Sequence, residues 1–494
     1  MEYDVLIIGA GLSGIGTAVH LAQQCPQLKV AILERRQSVG GTWDLFRYPG
    51  IRSDSDMLSF GFEFRPWLGY QVLAAGGSIR DYVRDTAREY GIERNIRFGL
   101  KITRTRWSSD TQRWTVSALE EASGQTREFS CRFLISCTGY YNYDQGYQPE
   151  FAGLADFKGQ FIHPQKWPEN LDYRGKRVVV IGSGATAVTL VPAMAEQAAQ
   201  VTMLQRSPTY IFSIPAQDKI SQLLGYVLPQ QWVYRFGRWR NIFLQRSMYR
   251  LARRYPNFVR GFLLRGVRKA LGGEEHMAHF TPRYQPWDER LCAVPDGDLF
   301  AAIRAGKADV VTDHIERFTA NGILLKSGRE LPADIIISAT GLQVQLFGGA
   351  ELEVDGKLMQ PQQLMTYKAV LVQDIPNMGI LFGYTNAPWT LKADLAARYL
   401  CRLLNHMQQH QVAVATPRAP AGEMVPDKNI FDLASGYVQR VAHTLPRQGR
   451  DLPWRVLHDY ERDKPMLLEE PIADSALEFQ PSVAAAKALL RSAA

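Results

Sequence analysis

Two segments about 170 residues apart carry the same pattern, and this internal repeat constrains the fold more than any other feature of the chain. Each has an apolar run, a glycine motif of the form G-x-G-x-x-G/A and a helical pattern, and a second apolar run follows. The two motifs contain Gly9, Gly11 and Gly14, and Gly182, Gly184, Thr186 and Ala187. Strand, glycine turn and helix in this order are typical of the first βαβ unit of a dinucleotide fold, where a pyrophosphate lies against the helix N-terminus. The repeat therefore predicts an α/β protein with two Rossmann-like dinucleotide-binding domains.

The residue after the second apolar run differs between the two copies, and in this fold it meets the adenosine ribose. In the first copy it is Glu34, whose carboxylate accepts hydrogen bonds from ribose hydroxyls and repels a 2′-phosphate. The second copy has Arg206 followed by Ser207, and a guanidinium at this place can pair with a 2′-phosphate. The alternative is that Arg206 is a solvated surface charge. We predict that the first site suits FAD or NAD and that the second suits NADP.

Two more apolar runs, 133–139 and 333–341, end at a small residue followed by Thr-Gly, where the chain could pass between domains. They predict an FAD-binding domain built from both ends of the chain, with the NADP-binding domain inserted. The predicted parts are an FAD-binding domain at 1–141 and 341–494, an NADP-binding domain at 142–215 and 281–340, and a basic helical insertion at 216–280.

The composition is that of an ordinary globular protein of 494 residues, with 46% hydrophobic and 21% charged residues, which excludes disorder. The five cysteines are far apart and lack metal-binding spacing, so we expect a reducing, cytoplasmic location and no metal. Residues 178–195 lack charges and meet the lower length of a membrane span, but their glycines, threonines and proline favour a buried strand, a turn and a helix.

The excess positive charge lies in one segment. Residues 235–269 contain eleven Lys and Arg and no acidic residue, so the rest of a chain of net charge +8 sums to −3. Aromatic residues and leucines are interleaved, as in a basic amphipathic helix that could lie on an anionic membrane. The alternative that we favour is a helical insertion whose charged face is solvated. Nucleic acid is not expected as a partner, because no recognised binding motif accompanies the charge.

Residues 157–168 have the form F-x-G-x-x-x-H-x-x-x-W-P. The segment resembles the signature of type I Baeyer–Villiger monooxygenases of the flavin-containing monooxygenase superfamily, and it stands where that family has it, just before the second glycine motif. The runs 205–210, 286–292 and 383–394 are similar to the ethionamide-activating branch, so the resemblance covers essentially the whole chain.

The resemblance implies further cofactor contacts at Gly41, Thr42, Trp43 and Asp54. It also implies a catalytic Arg290 that stabilises anions, and Asp54 would hold that guanidinium. The chain departs from the family at Glu289, where other branches have a lysine that helps to hold the 2′-phosphate, and this weakens the expectation of strict NADPH preference. His163 is expected to couple the two domains and Trp167 to pack. Lys392 and Asp394 would begin a helix near the flavin, or be an accident of the surface.

The reaction implied by the resemblance uses FAD, NADPH and O₂. NADPH reduces the flavin, O₂ adds to give a C4a-peroxyflavin, and one oxygen atom is inserted next to a ketone carbonyl to give an ester or lactone. The alternative is S- or N-oxygenation of sulfides, thioamides or amines with the same cofactors, and the ethionamide-activating branch is credited with both. A disulfide reductase is disfavoured, because the near pair of cysteines, Cys131 and Cys137, brackets a predicted strand. A membrane-surface protein with relict cofactor sites is a third alternative, and the oligomeric state is open.

Overall fold

The structure is a computed structural model that describes residues 1–289, 291–431, 435–483 and 485. Its strands are β1 Glu2–Ile8, β2 Val30–Leu33, β3 Ile96–Arg97, β4 Leu100–Ser108, β5 Arg113–Glu120, β6 Gln125–Ser136, β7 Gln160–Ile162, β8 Arg177–Ile181, β9 Gln200–Gln205, β10 Ile211–Ile214, β11 Cys292–Pro295, β12 Ala308–Thr312, β13 Ile315–Thr319, β14 Gly322–Leu325, β15 Glu330–Pro332, β16 Ile335–Ser338, β17 Glu351–Val354, β18 Lys357–Leu358, β19 Thr366–Tyr367, β20 Leu371–Val372, β21 Met378–Ile380, β22 Val412–Pro417, β23 Met424–Asn429, β24 Arg447–Gly449 and β25 Leu477–Pro481. Its α-helices are α1 Leu12–Gln24, α2 Thr42–Leu45, α3 Met57–Phe60, α4 Gly76–Glu89, α5 Ala185–Met194, α6 Lys219–Leu224, α7 Gln230–Arg254, α8 Pro256–Leu271, α9 Asp298–Arg304, α10 Trp389–Gln409, α11 Gly436–Gln439 and α12 Tyr460–Leu468.

The first sheet is built around β1, which pairs in parallel with β2 on one side and β6 on the other. Its outer part is the antiparallel meander β4–β5–β6, and β17 and β21 from the second half of the chain add to it. The apolar run of β1 is buried on both faces, as a central parallel strand requires. Helices α1 and α10 pack together beside this sheet. Segments from both halves of the chain thus share one core.

The second sheet is parallel throughout, in the order β12–β9–β8–β16–β7. β8 lies between β9 and β16, so the glycine loop after β8 and the small-Thr-Gly turn after β16 meet at one edge of the sheet. The uncharged run 178–195 is therefore a strand, a turn and a helix, as predicted. In the described residues no helix has the length and apolar composition needed to cross a membrane.

Helix α5 is shorter than the pattern predicted. The helical pattern in the sequence runs from Val188 to Ala198, but the helix ends at Met194. The chain then turns, with the Ala198 N–H donating to the Met194 carbonyl at 2.9 Å. Because β9 begins at Gln200, this turn is needed to send the chain back into the sheet.

The basic segment forms two helices and not one, because α8 begins at Pro256, which is tolerated in a first helical turn but not inside a helix. Helix α7 packs on α3 of the first sheet's domain, and α8 packs on β10 and α9. One arginine departs from the expected solvated charge: Arg238 is 7% exposed. Its Nη1 donates to the carbonyls of Leu58, Ser59 and Gly61 at 2.8–3.2 Å, which satisfies the C-terminal end of α3.

Candidate active site

The first glycine loop, between β1 and α1, is too tight for side chains. Gly9 has a φ of +101°, and a Cβ on it would lie 2.6 Å from the Cys137 carbonyl oxygen. A Cβ on Gly14 would lie 1.8 Å from the Gly9 carbonyl oxygen. Gly11 precedes α1, and within the described part of the chain no side chain caps this helix. The first backbone N–H groups of α1 are therefore available to a phosphate.

Glu34 lies at the end of β2 beside this loop and is 4% exposed. Its Oε2 accepts the Ala10 N–H at 2.6 Å and its Oε1 accepts the Arg36 N–H at 2.8 Å. Burial raises the pKa of Glu34, and these two hydrogen bonds oppose the rise. The carboxylate is thus fixed at the place predicted for the adenosine ribose. A cleft of about 630 Å³ opens next to it, lined by Arg35, Arg36, Gln37, Ser38, Asp44, Arg47, Arg80, Arg84, Glu121 and Tyr143.

The Gly41–Thr42–Trp43 segment lies against the same loop. Gly41 has a φ of +57°, and a Cβ on it would be 3.0 Å from the Gly11 Cα atom. Burial raises the pKa of Tyr143, and the neighbouring Thr42 side chain opposes the rise. Trp43 packs edge-on against Phe60 with ring centroids 6.1 Å apart. The structure therefore brings these three residues together with Gly9, Gly11, Gly14 and Glu34.

The second glycine loop, between β8 and α5, is more open. Gly182 has a φ of +130°, and a Cβ on it would be 2.4 Å from the Ala339 carbonyl oxygen. No heavy atom of the described residues lies within 4 Å of where a Cβ on Gly184 would be. Ala187 is buried in the core of the second domain. The space above Gly184 can accept a ligand without rearrangement.

Arg206 and Ser207 follow β9 at the same edge, and both are exposed. Glu289 is half-buried near Arg206: burial raises the pKa of Glu289, and the Arg206 charge lowers it. The departure from the family noted in the sequence thus has a structural consequence. A carboxylate lies within electrostatic reach of the guanidinium that is predicted to meet the 2′-phosphate.

The segment after Trp43 connects the two glycine loops. Burial raises the pKa of Tyr48, and the neighbouring hydroxyls of Thr186 and Thr189 in α5 oppose the rise. Arg52 forms an ion pair with Asp298 of α9 at 2.5 Å. This segment of the first domain therefore lies directly against the helices of the second.

Asp54 is on the same connecting segment, is exposed, and accepts the Ser55 hydroxyl at 3.4 Å. Its charge contributes to the raised pKa of Tyr48. Arg290, the predicted catalytic residue, lies outside the described residues. The predicted pairing of Asp54 with Arg290 stays a prediction.

His163 lies at the end of β7, where the chain enters the second domain. Its Nδ1 accepts the Gln165 N–H at 3.2 Å, and its ring leaves room only for glycine at Gly146. Burial lowers the pKa of His163, and the backbone at Gly341 and Tyr147 opposes this. Those backbone groups belong to the two segments that cross between the domains. Trp167 packs on the core of the second domain, as expected.

Sequence reasoning missed the buried polar network at the start of α10. The Lys392 Nζ lies 3.0 Å from an Asp463 carboxylate oxygen, which also accepts the Tyr384 hydroxyl at 2.7 Å. Burial lowers the pKa of Lys392, while Asp463 opposes this. Asp394 pairs with His20 of α1 at 2.6 Å. Lys392 and Asp394 are therefore not an accident of the surface, and nothing local in the sequence marks the distant Asp463 as a partner.

Trp389 links this helix to the first glycine loop. Its Nε1 donates to the Ser13 hydroxyl at 2.7 Å, and its ring stacks on Tyr140 with centroids 5.4 Å apart. The N-terminus of α10 is thereby held beside the loop. One tight and one open glycine loop, with the segment after Trp43 packed between them, are the arrangement of a protein that binds two dinucleotides.

Comparison with known proteins agrees with this description. The flavin-binding monooxygenase-like family matches residues 69–403, and the Thi4 family matches residues 1–50. MymA of Mycobacterium tuberculosis is 59% identical over 97% of this chain and 97% of its own. The FAD-containing monooxygenase EthA of the same organism is 52% identical over 96% of this chain and 97% of its own. The structure of an oxidized steroid monooxygenase bound to NADP superposes with a TM-score of 0.77 at 20% identity, covering 98% of this chain and all of that one.

The chain belongs to the flavin-binding monooxygenase-like family. The resemblance and the fold class that the motifs predict are confirmed. The domain boundaries and the roles of the site residues stay predictions.

Proposed function

We propose that this flavoprotein monooxygenase uses FAD, NADPH and O₂ to insert one oxygen atom next to the carbonyl of a ketone, giving an ester or lactone. In the overall reaction NADPH, a proton, O₂ and the ketone are converted to NADP⁺, water and the ester, and NADPH supplies the two electrons that reduce the second oxygen atom to water. The FAD- and NADP-dependent part of this assignment follows from family membership. The Baeyer–Villiger type of reaction is our inference from the 157–168 segment and from Arg290.

The observation that carries the proposal is the position of the F-x-G-x-x-x-H-x-x-x-W-P segment. The β7 strand of this segment forms the edge of the second sheet, and the His163 ring lies against Gly146. The backbone at Tyr147 and Gly341 raises the pKa of His163, against the effect of burial. The segment that resembles the Baeyer–Villiger signature is therefore built into the connection between the two nucleotide domains. A movement of one domain relative to the other would therefore change the surroundings of this segment.

The residues of the two glycine loops and their surroundings fit the two cofactors. The Gly9 loop, Glu34 and Gly41 would hold the FAD adenosine and pyrophosphate, and the Gly182 loop, Thr186, Arg206 and Ser207 would hold NADP. Bound FAD supplies the redox chemistry and the activated oxygen. Asp54 would orient Arg290, whose permanent positive charge would stabilise the negative charge that develops on the ketone oxygen. The protein's part is thus to position the two cofactors and to stabilise charge.

The test is turnover of the FAD-loaded protein with NADPH, air and a panel of linear, cyclic and aryl ketones, with products identified by mass spectrometry. Ester or lactone formation that is lost in Arg290→Ala, while NADPH oxidation continues, is the expected result. The matched control is Arg283→Ala, which changes a nearby arginine outside the family motifs. Ester formation by Arg290→Ala at the wild-type rate would remove this residue from the reaction.

A second candidate is oxygenation of sulfur or nitrogen, and Glu289 favours it. This half-buried carboxylate precedes Arg290 in the chain and lies near Arg206. A negative charge here would weaken the stabilisation of the negative charge that develops on the ketone oxygen. Insertion next to a ketone needs that stabilisation, whereas attack by a nucleophilic sulfide does not. The panel therefore includes aryl sulfides and thioamides. Sulfoxide formation without any ester would replace the first proposal with the second.

A further inference from the structure

Helix α7 exposes a row of aromatic side chains. Trp232, Phe236, Trp239 and Phe243 are 42–63% exposed. At about 100° per residue these four positions fall within about 60° of one another around the helix. The rings of Trp239 and Phe243 stack, with centroids 5.9 Å apart. We call these four residues the aromatic ridge.

The ridge points away from the body of the protein. The opposite side of α7 is anchored on α3: Gly237 is packed against Leu58, and Arg238 donates to three carbonyls at the end of α3. Asn241 and Gln245, also on that side, donate to the Asp56 carboxylate at 2.7 Å. These polar contacts hold α7 in one orientation. The exposure of the ridge is therefore a built feature and not the result of a loosely attached helix.

The apolar surface extends beyond the ridge. Of the eighteen large hydrophobic side chains that are exposed in the described part of the chain, thirteen lie between residues 220 and 262. On α8, Phe258 and Phe262 are 61% and 55% exposed, and the opposite side of that helix is buried through Val259, Leu263 and Val267. An apolar surface of this extent on one insertion marks an interaction site.

The charge on the same surface identifies the partner. Residues 219–273 contain twelve Lys and Arg and no acidic residue. Some are paired with acids elsewhere, such as Arg250 with Asp459 and Arg253 with Asp288. Arg235 and Arg254 on the ridge side of α7, and Arg265 and Lys269 beside the α8 aromatics, are exposed, and none forms an ion pair with another described residue. Exposed cations flank exposed aromatic side chains on both helices, tryptophan and phenylalanine on α7 and phenylalanine on α8.

We propose that helices α7 and α8 dock this protein on the surface of an anionic phospholipid bilayer, with the aromatic ridge in the headgroup region and the unpaired cations on the lipid phosphates. Tryptophan at the membrane–water interface, with lysine and arginine around it, is the composition of interfacial helices. A second copy of the chain fits less well, because self-association through this surface would bring two strongly cationic segments together. The proposal concerns where the enzyme works and does not depend on the reaction that it catalyses.

The experiment measures co-sedimentation of the FAD-loaded full chain with two kinds of vesicle, phosphatidylcholine alone and phosphatidylcholine mixed with phosphatidylglycerol. We expect binding to the anionic vesicles that weakens as salt is added, and a blue shift of tryptophan fluorescence. The ridge variant Trp239→Ser with Phe243→Ser should bind about tenfold less tightly for each side chain removed. Its control, Phe98→Ser with Leu358→Ser, removes two exposed hydrophobic side chains of the first sheet's domain and should bind like the wild type.

A charge series separates lipid phosphate from simple hydrophobic adsorption. Arg235→Gln, Arg254→Gln, Arg265→Gln and Lys269→Gln should each weaken binding to anionic vesicles about fivefold. The control set consists of exposed cations on other surfaces, Arg94→Gln, Lys158→Gln, Lys326→Gln and Lys357→Gln. All the changes are on the surface, so every variant should fold. Flavin absorbance and the melting temperature check this.

Three results would overturn the proposal. They are equal binding to both kinds of vesicle, no binding to either, and wild-type binding by the ridge variant. Light scattering is measured alongside. A wild-type oligomer that the ridge variant abolishes, in a protein that does not bind vesicles, would assign this surface to a second copy of the chain instead.

Discussion

The two glycine loops follow the same local pattern but differ in how much of the protein surrounds them. The first is closed: Gly9, Gly14 and Gly41 touch neighbouring backbone, and Glu34 is buried with both carboxylate oxygens already bonded. The second is open above Gly184, and its predicted phosphate contacts, Arg206 and Ser207, are exposed. The same motif can therefore bind a permanently bound cofactor in one loop and an exchanging coenzyme in the other. A resident flavin fits the closed loop, and an exchanging nicotinamide coenzyme fits the open one.

The largest expected effect is that of a methyl group added to the closed loop at Gly14, compared with one added to the open loop at Gly184. In Gly14→Ala the new Cβ would lie 1.8 Å from a backbone oxygen, so the loop must shift. We expect loss of bound flavin and a decrease of about 3 kcal/mol or more in the free energy of unfolding. In the second loop the position equivalent to Gly14 is already an alanine, Ala187. Gly184 is equivalent to Gly11, and a Cβ on it meets no described atom at a φ of −81°, so the stability of Gly184→Ala should stay within about 0.5 kcal/mol of the wild type while KM for NADPH rises.

Chemical unfolding and the ratio of flavin to protein measure both variants. Equal destabilisation by the two substitutions would contradict the distinction between a closed and an open loop.

A second test concerns the buried carboxylate of the closed loop. Glu34→Ala leaves the N–H groups of Ala10 and Arg36 without an acceptor, and each buried donor left unpaired costs about 1–3 kcal/mol. Glu34→Gln keeps an acceptor oxygen and should lose about half as much. Urea unfolding of the flavin-free and flavin-loaded proteins measures both changes. A stable Glu34→Ala with full flavin content would mean that this side chain does not organise the loop.

What the sequence could reveal of these two loops was local. Gly9 to Gly14 and Glu34, like Gly182 to Ala187 and Arg206, belong to short strand–turn–helix–strand units, so their spacing alone predicts their positions. The family signature at 157–168 is equally local.

The features that sequence reasoning missed depend on distant parts of the chain. The pairing of Lys392 with Asp463, and the burial of Arg238 against the end of α3, each join residues far apart in sequence. Helix α5 ends early because β9 must begin at Gln200, which is a requirement of the sheet and not of the helical pattern. Nothing in a single sequence records such contacts.

The open loop can be tested through the choice of coenzyme. Arg206→Gln removes the guanidinium predicted to meet the 2′-phosphate, so kcat/KM for NADPH should fall about tenfold or more, while that for NADH changes little. Glu289→Gln is the opposite change. It removes the nearby negative charge and should raise kcat/KM for NADPH severalfold. Steady-state kinetics with both coenzymes gives the two ratios, and equal losses for NADPH and NADH in Arg206→Gln would exclude a role in recognising the 2′-phosphate.

The smallest expected effect concerns His163, at the connection between the two domains, and depends on pH. Burial holds the pKa of His163 below its ordinary value, so the unfolded chain takes up a proton at higher pH than the folded protein does. The stability that neutral His163 contributes is therefore present above its unfolded pKa and is lost as pH falls through its folded pKa. His163→Asn can still accept the Gln165 N–H but does not titrate. The wild type should lose more stability than this variant between pH 7 and pH 5, because every other histidine is common to both proteins. If the free energy of unfolding of the two proteins changed in parallel with pH, protonation of His163 would cost nothing in the folded state. The predicted part of His163 in coupling the two domains would then depend only on its packing against Gly146.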